Sequence, residues 1–178
     1  MLATLDFDGF AVTSRRPTRV GRSPRSPRAP SSSPPSDTES AQKKLTSQLA
    51  DVPSAQQLLD ILDRKLDGQL LNEFHISAAF TRLARHKKGF DRAMQQSPVI
   101  KRFVMKVLSM LERGGLPARQ SANVFWAFAS LGEKGGSLQE LIPPLTESLV
   151  VQTEVMKPQE VANVIWAAAI LQLPDKAL

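Results

Sequence analysis

Residues 122–131 read Ala-Asn-Val-Phe-Trp-Ala-Phe-Ala-Ser-Leu, and residues 162–171 read Ala-Asn-Val-Ile-Trp-Ala-Ala-Ala-Ile-Leu. Seven of the ten positions are identical at an offset of 40 residues, so the two stretches are copies of one structural unit. Each follows a proline and a short polar lead-in, Pro117-Ala118-Arg119-Gln120 and Pro158-Gln159-Glu160. A degenerate copy, Ala78 to Arg85, places Ala78 where Asn123 stands and Thr81 where Trp126 stands. A period near 40 residues with apolar spacing near 3.6 means two helices per unit. Such a hairpin exposes apolar surface on both sides and must stack on its neighbours.

The surrounding sequence supplies the other helices. Ser54 is a good N-cap for a helix over Ser54–Leu66, with Gln57 placed to complete a capping box and Leu58, Leu59, Ile61, Leu62 and Leu66 on one stripe. A second helix is expected over Ile76–Lys87. Ser97 followed by Pro98 starts a third, which Gly114-Gly115 stops. The fourth runs from Pro117 to Leu131. A fifth is expected from Ser137, capped with Glu140, although Pro143-Pro144 then demands either a later start or a kink. The sixth runs from Pro158 to Leu171. The fold class expected is all-α, a right-handed superhelical solenoid of paired antiparallel helices with about 40 residues per repeat. Residues 41–178 form the helical-repeat domain, with a degenerate repeat at about 54–90 and repeats at about 97–132 and 137–173. Leu173, Ala177 and Leu178 look like the beginning of another segment, which implies either a longer array or an apolar face covered by a partner.

Inside these helices the repeated residues have distinct expected roles. Trp126 and Trp166 fill the gap between stacked helices as repeat core, and the neighbouring alanines allow close approach. Asn123 and Asn163 are polar amides in apolar helices and need partners. An internal hydrogen bond is the expectation, with a ligand-facing amide as the alternative.

Residues 1–40 differ in kind. They are rich in Arg, Ser and Pro, as in SRRPTRVGRSPRSPRAP, and have little to bury, so a disordered head is expected. Three explanations stay open. An Arg- and Ser-rich, acid-poor stretch resembles an organelle transit segment, although Asp6 and Asp8 interrupt its opening. It can equally be a retained basic tail, or mark a gene start that lies elsewhere.

Charge and composition narrow the function. The absence of Cys removes disulfide scaffolds, thiolate metal sites and cysteine nucleophiles. No uninterrupted apolar run approaches the roughly 20 residues of a bilayer span, so the chain is not expected to span a membrane. No phosphate-binding glycine motif occurs, and His75 and His86 have no metal-ligand spacing around them. Neither an enzyme nor a cofactor or metal requirement is expected. The net charge is +6. Its densest cluster sets Arg82, Arg85, Lys87, Lys88, Arg92, Lys101, Arg102 and Lys106 against Asp91 alone. Such a cluster favours an anionic partner. Arg82, Arg85, Lys87, Lys88, Lys101, Arg102, Lys106 and Arg119 are therefore candidate RNA phosphate contacts. Gln120, Asn123, Gln159 and Asn163, recurring near the starts of the repeat helices, are candidate base or backbone contacts.

The ANVFWAFASLG and ANVIWAAAIL segments, their Pro-Gln-Glu lead-in and the 40-residue period resemble octotricopeptide repeats. The resemblance covers roughly residues 75–173 and is sharp in the last two units. It implies an organellar helical-repeat protein in a mitochondrion or chloroplast that binds single-stranded or ribosomal RNA. The implied work is transcript processing, stability, translation or ribosome assembly. The different-class alternative is a scaffold subunit of a large organellar complex that binds other protein subunits and no RNA.

Overall fold

The computed structural model describes residues 37–173, and among these every regular element is helical. The head and the transit-segment reading lie largely outside the described residues, as do residues 174–178. Eight α-helices follow in order: α1 Asp37–Ala50, α2 Ala55–Lys65, α3 Glu73–Arg85, α4 Arg92–Gln95, α5 Pro98–Glu112, α6 Ala118–Leu131, α7 Ile142–Val151 and α8 Pro158–Ile170.

The local sequence explains most of the helix starts. The Ser54 hydroxyl accepts from the Gln57 N–H at 3.3 Å and opens α2. Ser97 does the same for Ile100 at 3.3 Å, with Pro98 at the first turn of α5, where a missing N–H costs nothing. Gly114, at φ +64°, lets the chain leave α5. The expected start at Ser137 is displaced. Gly132–Leu141 is an irregular 3-10 stretch kinked at Gly136, and α7 begins at Ile142 with its prolines in the first turn. Two adjacent prolines lack the N–H groups of a helix interior, and only a first turn has no use for them. Helix α1 was not among the expected elements. Its acidic first turn, Asp37 and Glu39, is favourable, but only Leu45 and Leu49 are buried, too thin a stripe to stand out.

The helices touch in two rows. One runs α1, α3, α6, α8, and its most extensive contacts are those of α6 with α3 and with α8. The other runs α2, α5, α7. The repeated ANVxWA helix and its degenerate copy thus stack on one another, consistent with a helical-repeat arrangement. Between the rows lies the aromatic centre, where the Phe80 ring sits 5.1 Å from both Phe103 and Phe128. All three are essentially inaccessible to solvent. Burying such rings supplies the largest apolar contribution of any side chain here.

Candidate nucleic-acid interface

Two polar contacts and one cavity fix which helix ends lie together. His86, just past α3, contacts the Val52 carbonyl through Nε2 at 2.9 Å, so the end of α3 meets the entry to α2. Lys87 Nζ donates to the Ser130 carbonyl at 3.1 Å, joining the same end to the last turn of α6. A cavity lined by Gln56, Leu59, Asp60, Asp63, Met94, Ser97 and Val99 sets the entry of α5 beside α2. The end of α3, the end of α6 and the starts of α2 and α5 therefore share one end of the array.

This end is basic. A cavity of about 430 Å³ is lined by Ser54, Gln56, Arg85, His86, Lys87 and Lys88, among others. Lys101 lies one turn into α5 from Ser97, and Arg82 one turn back along α3. Arg82, Arg85, Lys88, Lys101 and Lys106 make no hydrogen bond or ion pair to another described side chain, and Arg85, Lys88 and Lys101 are exposed. Asp91, the acid in this stretch, is occupied as the cap of α4, accepting from the Met94 N–H at 2.9 Å.

The expected contact residues do not all join this surface. Arg102 is held by Asp63 and by Asp67, the latter at 3.2 Å, so its charge is already matched across the α2–α5 contact. The acids Asp63 and Asp67 thus form an inter-helix clamp as well as an exposed stripe. Lys87 is likewise engaged, its ammonium sitting where the α6 carbonyls converge, a favourable place for a cation. Arg119 is exposed but opens α6, about 16 Å of helix from its Ser130 end. Gln159 lies similarly at the start of α8.

Gln120 is only 6% exposed and so is a poor base contact. Its counterpart Glu160 is 8% exposed and accepts the Lys157 N–H at 3.0 Å. In α8 this position therefore serves the helix start, whereas α6 opens without a side-chain cap. Asn123 and Asn163 are half-buried, and neither side chain hydrogen-bonds to a described residue, so the expected internal bond is not formed. Trp126 is half-buried, whereas Trp166 is 38% exposed, its ring 6.4 Å from that of Trp126. Trp166 is accordingly a surface ring rather than repeat core, because α8 covers α6 while no described helix covers α8.

His75 has a role that its sequence spacing concealed. Its Nδ1 accepts from the Asn72 N–H at 3.2 Å while Asn72 Oδ1 accepts from the His75 N–H at 3.2 Å, a reciprocal cap on α3. Since Nδ1 accepts, the proton is on Nε2, which reaches the Gln42 carbonyl and the Thr46 hydroxyl, both at 3.1 Å. The ring is 1% exposed and ties α1 to α3. The clue in the sequence is its place three residues after Asn72.

Among the described residues, no three His, Asp or Glu side chains are grouped so as to hold a metal ion, and no helix is long and apolar enough to cross a membrane. No protein-family model, curated protein or solved structure matches the chain.

Proposed function

We propose that the chain is a non-catalytic RNA-binding helical-repeat protein that grips the phosphate backbone at the basic end of its array. In this reading, α2–α3, α5–α6 and α7–α8 are paired antiparallel hairpins of a right-handed solenoid with a period near 40 residues. The observation that carries the proposal is the convergence of Arg85 and Lys88, both exposed and without an ion-pair partner among the described residues, on one cavity, with Lys101 and Arg82 at the same end. Phosphates attract such a surface without regard to sequence, and released counterions supply the free energy. The likeness of the ANVxWA units to octotricopeptide repeats supports RNA as the polyanion and a mitochondrion or chloroplast as the setting.

Charge reversal tests this reading. R85E/K88E changes the net charge by the same amount as K43E/K44E on α1, where the neighbouring Gln42 and Thr46 meet the start of α3 rather than its Arg85 end. Electrophoretic mobility with single-stranded RNA is expected to show binding severely weakened in the first variant and only slightly weakened in the second. Equal losses would reduce the effect to net charge and remove the site.

A further inference from the structure

Resting on the RNA reading, we infer that a single strand of RNA leaves the basic end and lies lengthwise along the open seam between α3 and α6, with a base stacked on Phe74 and a phosphate at Arg119. Two matched stripes make that seam. In α3, Phe74, Ala78, Thr81 and Arg85 all keep solvent exposure and are spaced i, i+4, i+7 and i+11. In α6 the same spacing takes Arg119, Asn123, Trp126 and Ser130, the residues of that helix that are not buried. Such a spacing keeps to one face of an α-helix. The two helices pack along their length, and Lys87 ties the end of α3 to the end of α6. They therefore run in the same direction, and their stripes lie side by side. Helix α3 is flanked by α1 and α6, and α6 by α3 and α8, while α2 and α7 cover the other side. The seam is thus an open surface in the interior of the array, whatever lies beyond α8.

The chemistry along the seam selects the ligand. Phe74 is 56% exposed, whereas Phe80, Phe90, Phe103, Phe125 and Phe128 are at most 2% exposed. A ring left in water at the first turn of α3 lies outside the core and offers a face to a base, and such stacking tolerates any base. Arg119, at the same end, is exposed and makes no ion pair among the described residues. Arg82 and Arg85 stand at the other end, where Arg85 also lines the basic cavity. Glu73 opens α3 one position before the stripe begins. The two cationic ends are about 16 Å apart along the helices, a distance that an extended single strand covers in a few nucleotides. Midway, Asn123 presents a half-buried carboxamide with no hydrogen bond to a described residue, able to donate to and accept from a base edge. A duplex hides the faces of its bases from Phe74, so single-stranded RNA is the polyanion that uses every one of these groups.

The test compares binding of the full chain to a labelled oligouridylate and to an oligomer of the same length built from abasic spacers, which keeps the phosphates and removes the bases. Wild type is expected to prefer the first by about 5- to 100-fold, the worth of one stacked base. F74A should lose most of that preference while binding the abasic oligomer as wild type does, and F74Y should restore it. M105A removes a side chain that is 66% exposed on α5 and should change neither affinity. R119E should weaken both oligomers severalfold more than K44E, which changes the net charge equally on α1. Equal affinity of wild type for the two oligomers overturns the inference, as does F74A that keeps the preference, or R119E no weaker than K44E. If R85E/K88E weakens binding while F74A and R119E do not, the basic end stands and the seam falls. No binding of either oligomer by wild type removes both. A denaturation midpoint that falls in F74A and recovers in F74Y, with no change in the oligouridylate preference, makes Phe74 a structural ring and also overturns the assignment.

Discussion

Replacing His75 by alanine separates a structural histidine from a functional one. The ring is 1% exposed, so the substitution acts on a closed site. It deletes the acceptor for the Asn72 N–H, worth about 1 kcal/mol as half of a reciprocal cap. It deletes the Nε2 donor to the Gln42 carbonyl, worth about 1 kcal/mol more. The void left by most of an imidazole adds roughly another 1 kcal/mol. The sum is about 3 kcal/mol. With a urea dependence of roughly 2 kcal/mol per molar, the midpoint falls by about 1.5 M. Because the ring links α1 to α3, amide hydrogen exchange across residues 37–50 should accelerate more than exchange in α6. H86A is the comparison, since His86 is half-buried with one contact to Val52 and should cost about 1 kcal/mol. An H75A protein within about 0.5 kcal/mol of wild type, with α1 exchange unchanged, would refute this account of how α1 is attached.

Three further substitutions probe the fold. Phe80→Ala removes the ring shared by Phe103 and Phe128 and should cost about 3–5 kcal/mol in chemical denaturation, enough to threaten folding at 37 °C. Gly136→Ala should destabilise by about 1–3 kcal/mol in the same assay, because Gly136 sits at φ +51° and an added Cβ would lie 2.9 Å from Gln95 Cβ. Arg102→Ala should change stability by no more than about 1 kcal/mol, since its pairs with Asp63 and Asp67 are exposed to water, and should leave RNA affinity nearly unaltered.

Local chemistry was readable along the chain, and distant pairing was not. Ser54, Ser97-Pro98 and Pro158 mark helix starts within a residue or two because caps and first-turn prolines act over three or four positions. The stacking of α3, α6 and α8 followed from the repeat itself. Helix α1 escaped because two buried leucines in fourteen residues make almost no periodic signal. The start of α7 was misplaced because Ser137 and Glu140 imitate a capping box, while the prolines decide the actual start.

The candidate site fared less evenly. A run of basic residues identifies a charged segment but not which charges are already matched. Arg102 finds its acids 35 and 39 positions away, and Lys87 its carbonyl 43 away. Such pairings exist only once helices pack. Arg119 was grouped with the basic cluster by composition, and helix length then carries it to the opposite end. Trp166 copies Trp126 in sequence and differs from it only in what lies next door.

The most direct test of RNA gripping by the basic end is the salt dependence of binding by the full chain to a short single-stranded RNA. Engagement of about three to four phosphates predicts a slope near −2 to −3 in log affinity against log salt concentration. In R85E/K88E that slope should become shallower by about 1.4, two phosphate contacts having been lost. No retention of RNA at low salt, or a slope that the reversal leaves unchanged, would contradict the account.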